Sequence, residues 1–402
     1  MRALACKNRR ARALSYRLQW QPLQSCCLPT GRRLRRASIE SVERRYSCRD
    51  PLASWTLERP VITVFSEKHA LRDARSELAA GLLIKPHECP ARARMVLERV
   101  RSTGLGEVVA PTPFALDAVL RVHDRDFVEF LSSASTEWAA TGNRGEAIPD
   151  CWPARRMTQR CPSAIMGKLG YYAMSAETSI SAGSWEAARS AADVALTAAE
   201  RVRGGARAAF ALCRPPGHHA ARDLYGGYCF LNNAAIAAQY LRDQGAARVA
   251  ILDVDFHHGN GTQDIFYERP DVFFTSLHGD PVEAFPYFSG YADETGSGAG
   301  TGYTLNFPMP HGTDFAAWRQ ALESALARIG SFRADALVVS LGVDTFEADP
   351  ISSFRLRSAD FTSYGRLIGA AALPTVFVLE GGYAVEEIGI NVVNVLSGFE
   401  DA

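Results

Sequence analysis

Six short apolar runs recur along this chain, most of them closed by a polar or charged residue. They are VITVF at 61–65, AAFALC at 208–213, VAILDVD at 249–255, VFFTSLH at 272–278, ALVVSLGVD at 336–344 and TVFVLEGGY at 375–383. Each is short for a helix and rich in apolar side chains, many of them β-branched or aromatic, so each reads as a buried strand. Between them, residues 234–244, 315–329 and 361–372 carry apolar side chains at spacings of three and four, the period of an amphipathic helix. Near-continuous hydrophobicity within a strand means that both sheet faces are covered, and alternation with helices makes the sheet parallel. The expected fold is α/β: a single domain over residues 61–402 with a central parallel sheet flanked by helices. In such sheets ligands bind beyond the carboxyl ends of the strands, which is where the unusual polar residues of this chain fall.

Residues 1–60 read differently. They hold 14 Lys/Arg against 4 Asp/Glu, with ten basic residues and no acid up to Ile39. A transit peptide, a disordered basic arm and translated sequence upstream of the true start all fit that composition. The other residues hold 30 Lys/Arg against 40 Asp/Glu. That acidic balance argues against a nucleic-acid partner and for a cationic substrate. The nine cysteines have no CxxC pair and no regular spacing of the kind a disulfide framework or zinc ribbon shows, so reduced thiols are expected. No run approaches 18 apolar residues, which predicts no membrane span. The expected compartment is the cytoplasm, with organellar targeting as the alternative. Residues 142–164 have little periodicity and carry Pro149, Pro153 and Pro162, and read as a long ordered loop or a subunit contact.

Four clusters carry chemistry. RPPGHHA at 214–220 follows the second run and puts His218 and His219 in a stiff turn, although a histidine pair can also be ordinary loop residues. In DVDFHHGNG at 253–261, Asp253, Asp255 and His257 project to one side of an extended strand. Two carboxylates and an imidazole at the end of a buried strand are expensive without a counter-charge, which a metal ion supplies. Asp344, after the fifth run, completes a one-nitrogen, two-oxygen ligand set with Asp255 and His257, the arrangement of a catalytic zinc with an open position; by itself an Asp there is equally a helix cap. In EGGY, Tyr383 follows the last run, and its hydroxyl is placed either to meet a developing oxyanion or to serve as an ordinary core tyrosine.

These four motifs, in this order, resemble the histone deacetylase superfamily. GYCFLNNAA, HHGNGTQDIFYERPDVFF, SLHGDPVEAFP and SLGVDTFEADPIS are most similar to its acetylpolyamine amidohydrolase branch. The resemblance implies the arginase/deacetylase fold, one zinc on Asp255, His257 and Asp344, His218 and His219 as the general acid/base pair, and Tyr383 polarising an acetyl carbonyl. It also implies that Asp253 orients His218, while Asn260 stands where many members have a second Asp to orient His219. An amide stabilises an imidazolium less than a carboxylate does, so His219 is expected to be the neutral base. A structural potassium is implied near Asp253, Asp255, His257, Ser276 and Leu277. Tyr228 and Phe285 match the walls of a narrow channel, Gly226 and Gly227 allow a close wall, and Glu177 matches a carboxylate that meets a distant ammonium. Met166 departs from the pattern by standing where an acid is expected. The implied activity is zinc-dependent hydrolysis of acetylated polyamines to acetate and free amine, by a homodimer whose entrance is narrowed by the 142–164 loop. Protein or histone lysine deacetylation is the alternative. A catalytically inactive binding protein is a reading of a different class, and the completeness of all four motifs speaks against it. An arginase-type manganese hydrolase would need ligands for a second metal.

Overall fold

A computed structural model describes residues 60–402, so the basic N-terminal stretch lies outside the described residues. The strands are β1 (Ile62–Val64), β2 (Glu77–Ala79), β3 (Leu82–Ile84), β4 (Val108–Val109), β5 (Ala208–Ala211), β6 (Val249–Asp253), β7 (Val272–Gly279), β8 (Thr304–Met309), β9 (Ala336–Leu341) and β10 (Thr375–Leu379). Strands β2 and β3 form a separate antiparallel hairpin, and the other eight make one sheet in the order β4-β1-β5-β10-β9-β6-β7-β8. Every pairing in that sheet is parallel. All six apolar runs are strands of it, as expected.

Alternate residues of each strand feed two different cores, as the strand period of two requires. Ala209, Ala211, Val249, Ile251, Val338, Val376 and Val378 face the helices Ser184–Arg203 and Asn233–Asp243. Phe210, Leu212, Ala250, Leu252, Leu337, Val339, Phe377 and Leu379 face the helices Pro90–Thr103, Phe315–Phe332, Ser358–Gly369 and Ile388–Glu400. With helices on both faces, every strand of the sheet centre is buried, which is why these runs are apolar throughout. No helix among the described residues is long and apolar enough to cross a membrane.

Chain order and spatial order part company at the sheet centre. After β5 the chain skips two positions to β6, and the gap is filled only later by β9 and β10. Strands β5, β10, β9 and β6 therefore lie side by side, and the loops at their carboxyl ends open onto one crevice. Strand β8 escapes a reading by pattern because Asn306 and Pro308 interrupt it. It is an edge strand, where a proline without an N–H costs no ladder bond on the open side.

Candidate active site

The tandem histidines follow β5 in a turn held by the buried Arg214. Its guanidinium donates 2.6 Å hydrogen bonds to the carbonyls of His69 and Arg72 and pairs with Glu88 at 2.7 Å. His218 and His219 lie with ring centroids 4.0 Å apart, each tied at Nδ1. His218 Nδ1 is 3.0 Å from Asp253 Oδ2, and His219 Nδ1 is 2.7 Å from Asn260 Oδ1. The Asn260 amide nitrogen is directed at the His219 carbonyl, 3.4 Å away, so its oxygen faces the imidazole. An amide oxygen only accepts, so His219 Nδ1 carries the hydrogen and Nε2 is left as a base. The two rings are driven apart in proton affinity. Burial, followed by the charges of His218 and His257, pushes His219 well below the usual imidazole range. Burial opposes the charge on His218 too, but Asp255 and Asp253 outweigh it and carry that ring up to about 10.

Asp255, His257 and Asp344 offer donor atoms within 4.8 Å of one another. Backbone amides hold the carboxylates in place. Gly381 N donates to Asp255 Oδ2 at 2.7 Å, His257 N to Asp255 Oδ1 at 2.9 Å, and Phe256 N to Asp344 Oδ1 at 2.7 Å. His257 Nδ1 lies 3.0 Å from Asp344 and 3.3 Å from Asp255. Burial and the adjacent Asp255 charge push Asp344 up to about 8, while His218 and His257 pull Asp255 down despite its burial. Left alone, such a cluster retains a proton between its carboxylates. A divalent cation answers the same charge with a better-matched donor set, one imidazole and two carboxylates, so these residues fit a zinc ion. A Cβ on Gly381 would overlap the carboxylates of Asp344 and Asp255, and one on Gly342 would overlap Asp255, so both glycines are part of the cradle.

Tyr383 completes the crevice from the end of β10. Arg92, fully buried, donates to the Gly382 carbonyl at 2.6 Å and the Glu380 carbonyl at 2.5 Å, and its guanidinium stands 4.7 Å from the centre of the Tyr383 ring. Asp349 accepts from Tyr383 N at 2.6 Å. Burial pushes the Tyr383 phenol well above its usual range, so it remains a hydrogen-bond donor. Tyr228 lies 5.7 Å from Tyr383 and Phe285 5.1 Å from His219, centroid to centroid, so the two aromatic residues expected at a channel do flank the histidines and the tyrosine. Gly227 has φ +56°, and any side chain there would strike the His219 ring.

Other expected residues have partners that their spacing did not reveal. Glu177 is half-buried and braces the glycine turn, its Oε1 accepting from Gly227 N at 2.6 Å and Ser175 Oγ at 2.5 Å. Ser276 and Leu277 are buried in β7, with Ser276 the register partner of Asp253. Met166 is exposed on the helix Ile165–Tyr171. Three participants had no signal in the runs. Arg92 and Glu88 form a buried ion pair at 3.1 Å, legible only as an i,i+4 pairing, and Glu77, on the hairpin, is buried beside Tyr228 with one carboxylate oxygen unpartnered.

Residues 86–399 match the histone deacetylase domain family. The chain is 57% identical over 340 residues to acetylpolyamine amidohydrolase 2 of Pseudomonas aeruginosa, covering 85% of this chain and 99% of that one. It is 57% identical over 335 residues to acetylpolyamine amidohydrolase of Mycoplana ramosa, covering 83% and 98%. The crystal structure of acetylpolyamine aminohydrolase from Burkholderia pseudomallei superposes with a TM-score of 0.81 at 40% identity, covering 84% of this chain and 98% of the other.

If the glycine cradle holds a metal, Gly381→Ala is expected to purify folded but with less than about a tenth of the wild-type zinc, because misplaced ligands forfeit affinity steeply. Elemental analysis with circular dichroism decides this. Full zinc content in the variant would refute the assignment of the cradle.

Proposed function

The chain belongs to the histone deacetylase family, and on that premise we propose that it hydrolyses the acetamide of acetylated polyamines, releasing acetate and the free amine. The observation that carries the reading is the convergence, at four adjacent strand ends, of a histidine pair tied at Nδ1 to unlike partners, a carboxylate and an amide oxygen, with a zinc-type ligand set and a tyrosine hydroxyl. The catalytic domain is assigned to residues 61–402. Asp255, His257 and Asp344 hold zinc, which supplies polarisation of the amide carbonyl and acidification of a water when bound. His219, neutral, takes the water's proton at Nε2. Tyr383 donates its hydroxyl hydrogen to the oxyanion formed on attack. His218, held at Nδ1 by Asp253, gives a proton from Nε2 to the departing nitrogen, so the C–N bond breaks to an amine and not to an amide anion.

A polyamine, in preference to acetyl-lysine in a protein, is supported by the names of the similar enzymes and by the acids near Tyr228. Glu77 and Glu177 both contribute negative charge at that residue, which suits a slender substrate carrying further ammonium groups. A structural potassium belongs to the same reading, on Asp253, Asp255, His257, Ser276 and Leu277, where carboxylates and main-chain carbonyls are the oxygen donors such an ion takes. The Asp253–Ser276 register pairing supports it. Homodimer formation through residues 142–164 is supported by the exposed apolar side chains of Trp152 and Met157 in that stretch, with Met166 and Phe288 elsewhere on the surface. Cytoplasmic residence is supported by the free thiols of Cys89, Cys151, Cys161, Cys213 and Cys229.

Zinc-loaded protein is expected to deacetylate N-acetylputrescine and acetylspermidine with kcat/KM well above that for an acetyl-lysine peptide, and Tyr383→Phe to lose about 10²- to 10³-fold in kcat, the usual cost of one oxyanion donor. Preference for the peptide would transfer the assignment to protein deacetylation. Asn260→Asp places a carboxylate on His219 and raises its proton affinity, so the acidic limb of the kcat/KM profile should move to higher pH; an unmoved limb would remove His219 from the role of base. Light scattering should give twice the chain mass in solution, and a monomer would dismiss the proposed subunit contact.

A further inference from the structure

Glu380 is a fully buried carboxylate at this crevice that the chemistry above leaves without a task. It stands at the end of β10. Its Oε2 accepts from Gly217 N at 2.6 Å and from His218 N at 3.1 Å, while Oε1 has no hydrogen-bond partner. A Glu380 carboxylate oxygen, a His218 ring nitrogen and the Cys229 sulfur lie within 4.8 Å of one another. Burying a carboxylate on two neutral donors is costly, and an apolar side chain would fill the same volume without that cost. The retained acid therefore calls for an explanation in what its two hydrogen bonds hold.

They hold the turn that aims both imidazoles. Pro215 and Pro216 have no N–H, so Gly217 and His218 supply the first amides after Arg214 by which the turn can be gripped, and both are directed at Glu380. The main chain of the same residue belongs to the opposite wall. Glu380 N donates to the Leu341 carbonyl at 3.0 Å, and its own carbonyl accepts from Arg92, which also holds the Gly382 carbonyl beside Tyr383. One residue thus spans from the histidine turn, by its side chain, to the tyrosine loop, by its backbone.

We propose that Glu380 is a positioning residue that sets the separation between the His218–His219 pair and Tyr383 by locking the Gly217–His218 amides to the end of β10. Its catalytic consequence rests on the deacetylase reading of the site. The structural tie does not depend on that reading, and the test keeps the two apart. Reacting groups displaced by about 1 Å forfeit on the order of 10²-fold in rate, so Glu380→Ala in the full zinc-loaded chain should lose ~10²-fold in kcat on N-acetylputrescine. Substrate binding is not what the residue supports, so KM should move by less than about twofold. Glu380→Gln keeps an acceptor oxygen for the two amides and should recover to within about tenfold of wild type. Amide hydrogen exchange needs no substrate: Gly217 and His218 should lose protection in Glu380→Ala and keep it in Glu380→Gln. Unchanged exchange in Glu380→Ala, or a Gln variant as impaired as the Ala variant, would overturn the proposal. Should the Ala variant fail to fold, the Gln variant decides alone, retained protection and activity supporting the tie and loss of both removing it.

Discussion

Four carboxylates, Asp253, Asp255, Asp344 and Glu380, are fully buried side by side at the carboxyl end of the sheet, and the rest of the crevice is organised around neutralising them. Left without counter-charges, carboxylates in such a setting would take up protons or the loops would open. Three different answers serve the four. Asp253 has the His218 imidazole, Asp255 and Asp344 share the His257 imidazole between them, and Glu380 has two main-chain amides. Because the answers are different groups on different strand ends, the four loops cannot shift independently: moving one strands a buried charge on its neighbour.

Behind the loops lies the opposite problem. Arg72, Arg92 and Arg214 are all buried, with Glu88 making ion pairs to Arg92 and Arg214. Arg214 and Arg92 also donate to the carbonyl oxygens of His69, Arg72, Glu380 and Gly382, and Arg72 donates to Ser181 Oγ at 3.3 Å. A guanidinium is suited to this use because its fork satisfies several acceptors at fixed angles and cannot lose its proton. Breaking a buried pair of this kind typically costs about 3–5 kcal/mol, a large share of a domain's stability, so this positive layer is a structural requirement as well as a support for Tyr383 and the histidines.

The parts of the fold that were legible in the sequence are those whose signal is local. Six strands announced themselves because burial on both faces leaves an unbroken apolar run, and the polar residues closing those runs fell at the crevice because strand ends are where a parallel sheet binds ligands. Strand β8 was not legible, since an edge position tolerates Asn306 and Pro308. Glu77, Arg92 and Glu380 were equally hidden. Their meaning comes from partners far away in the chain: Arg92 meets Gly382, and Glu380 meets Gly217. Glu177 illustrates the intermediate case, in which a carboxylate expected at the channel is also a brace, a fact visible only once Gly227 lies against it.

The late insertion of β9 and β10 between β5 and β6 has a consequence for how the protein comes into being. A ribosome delivers the histidine turn and the Asp253–His257 segment long before Asp344 and Tyr383 exist. For that interval β5 and β6 have no neighbour on the sides that β10 and β9 will occupy, and the Asp255–His257–Asp344 cluster lacks its third member. Pairings between residues so distant in sequence are slow to form and leave strand edges open to wrong partners. The crevice therefore has only two of its walls until β9 and β10 bring Asp344, Glu380 and Tyr383 to the sheet centre.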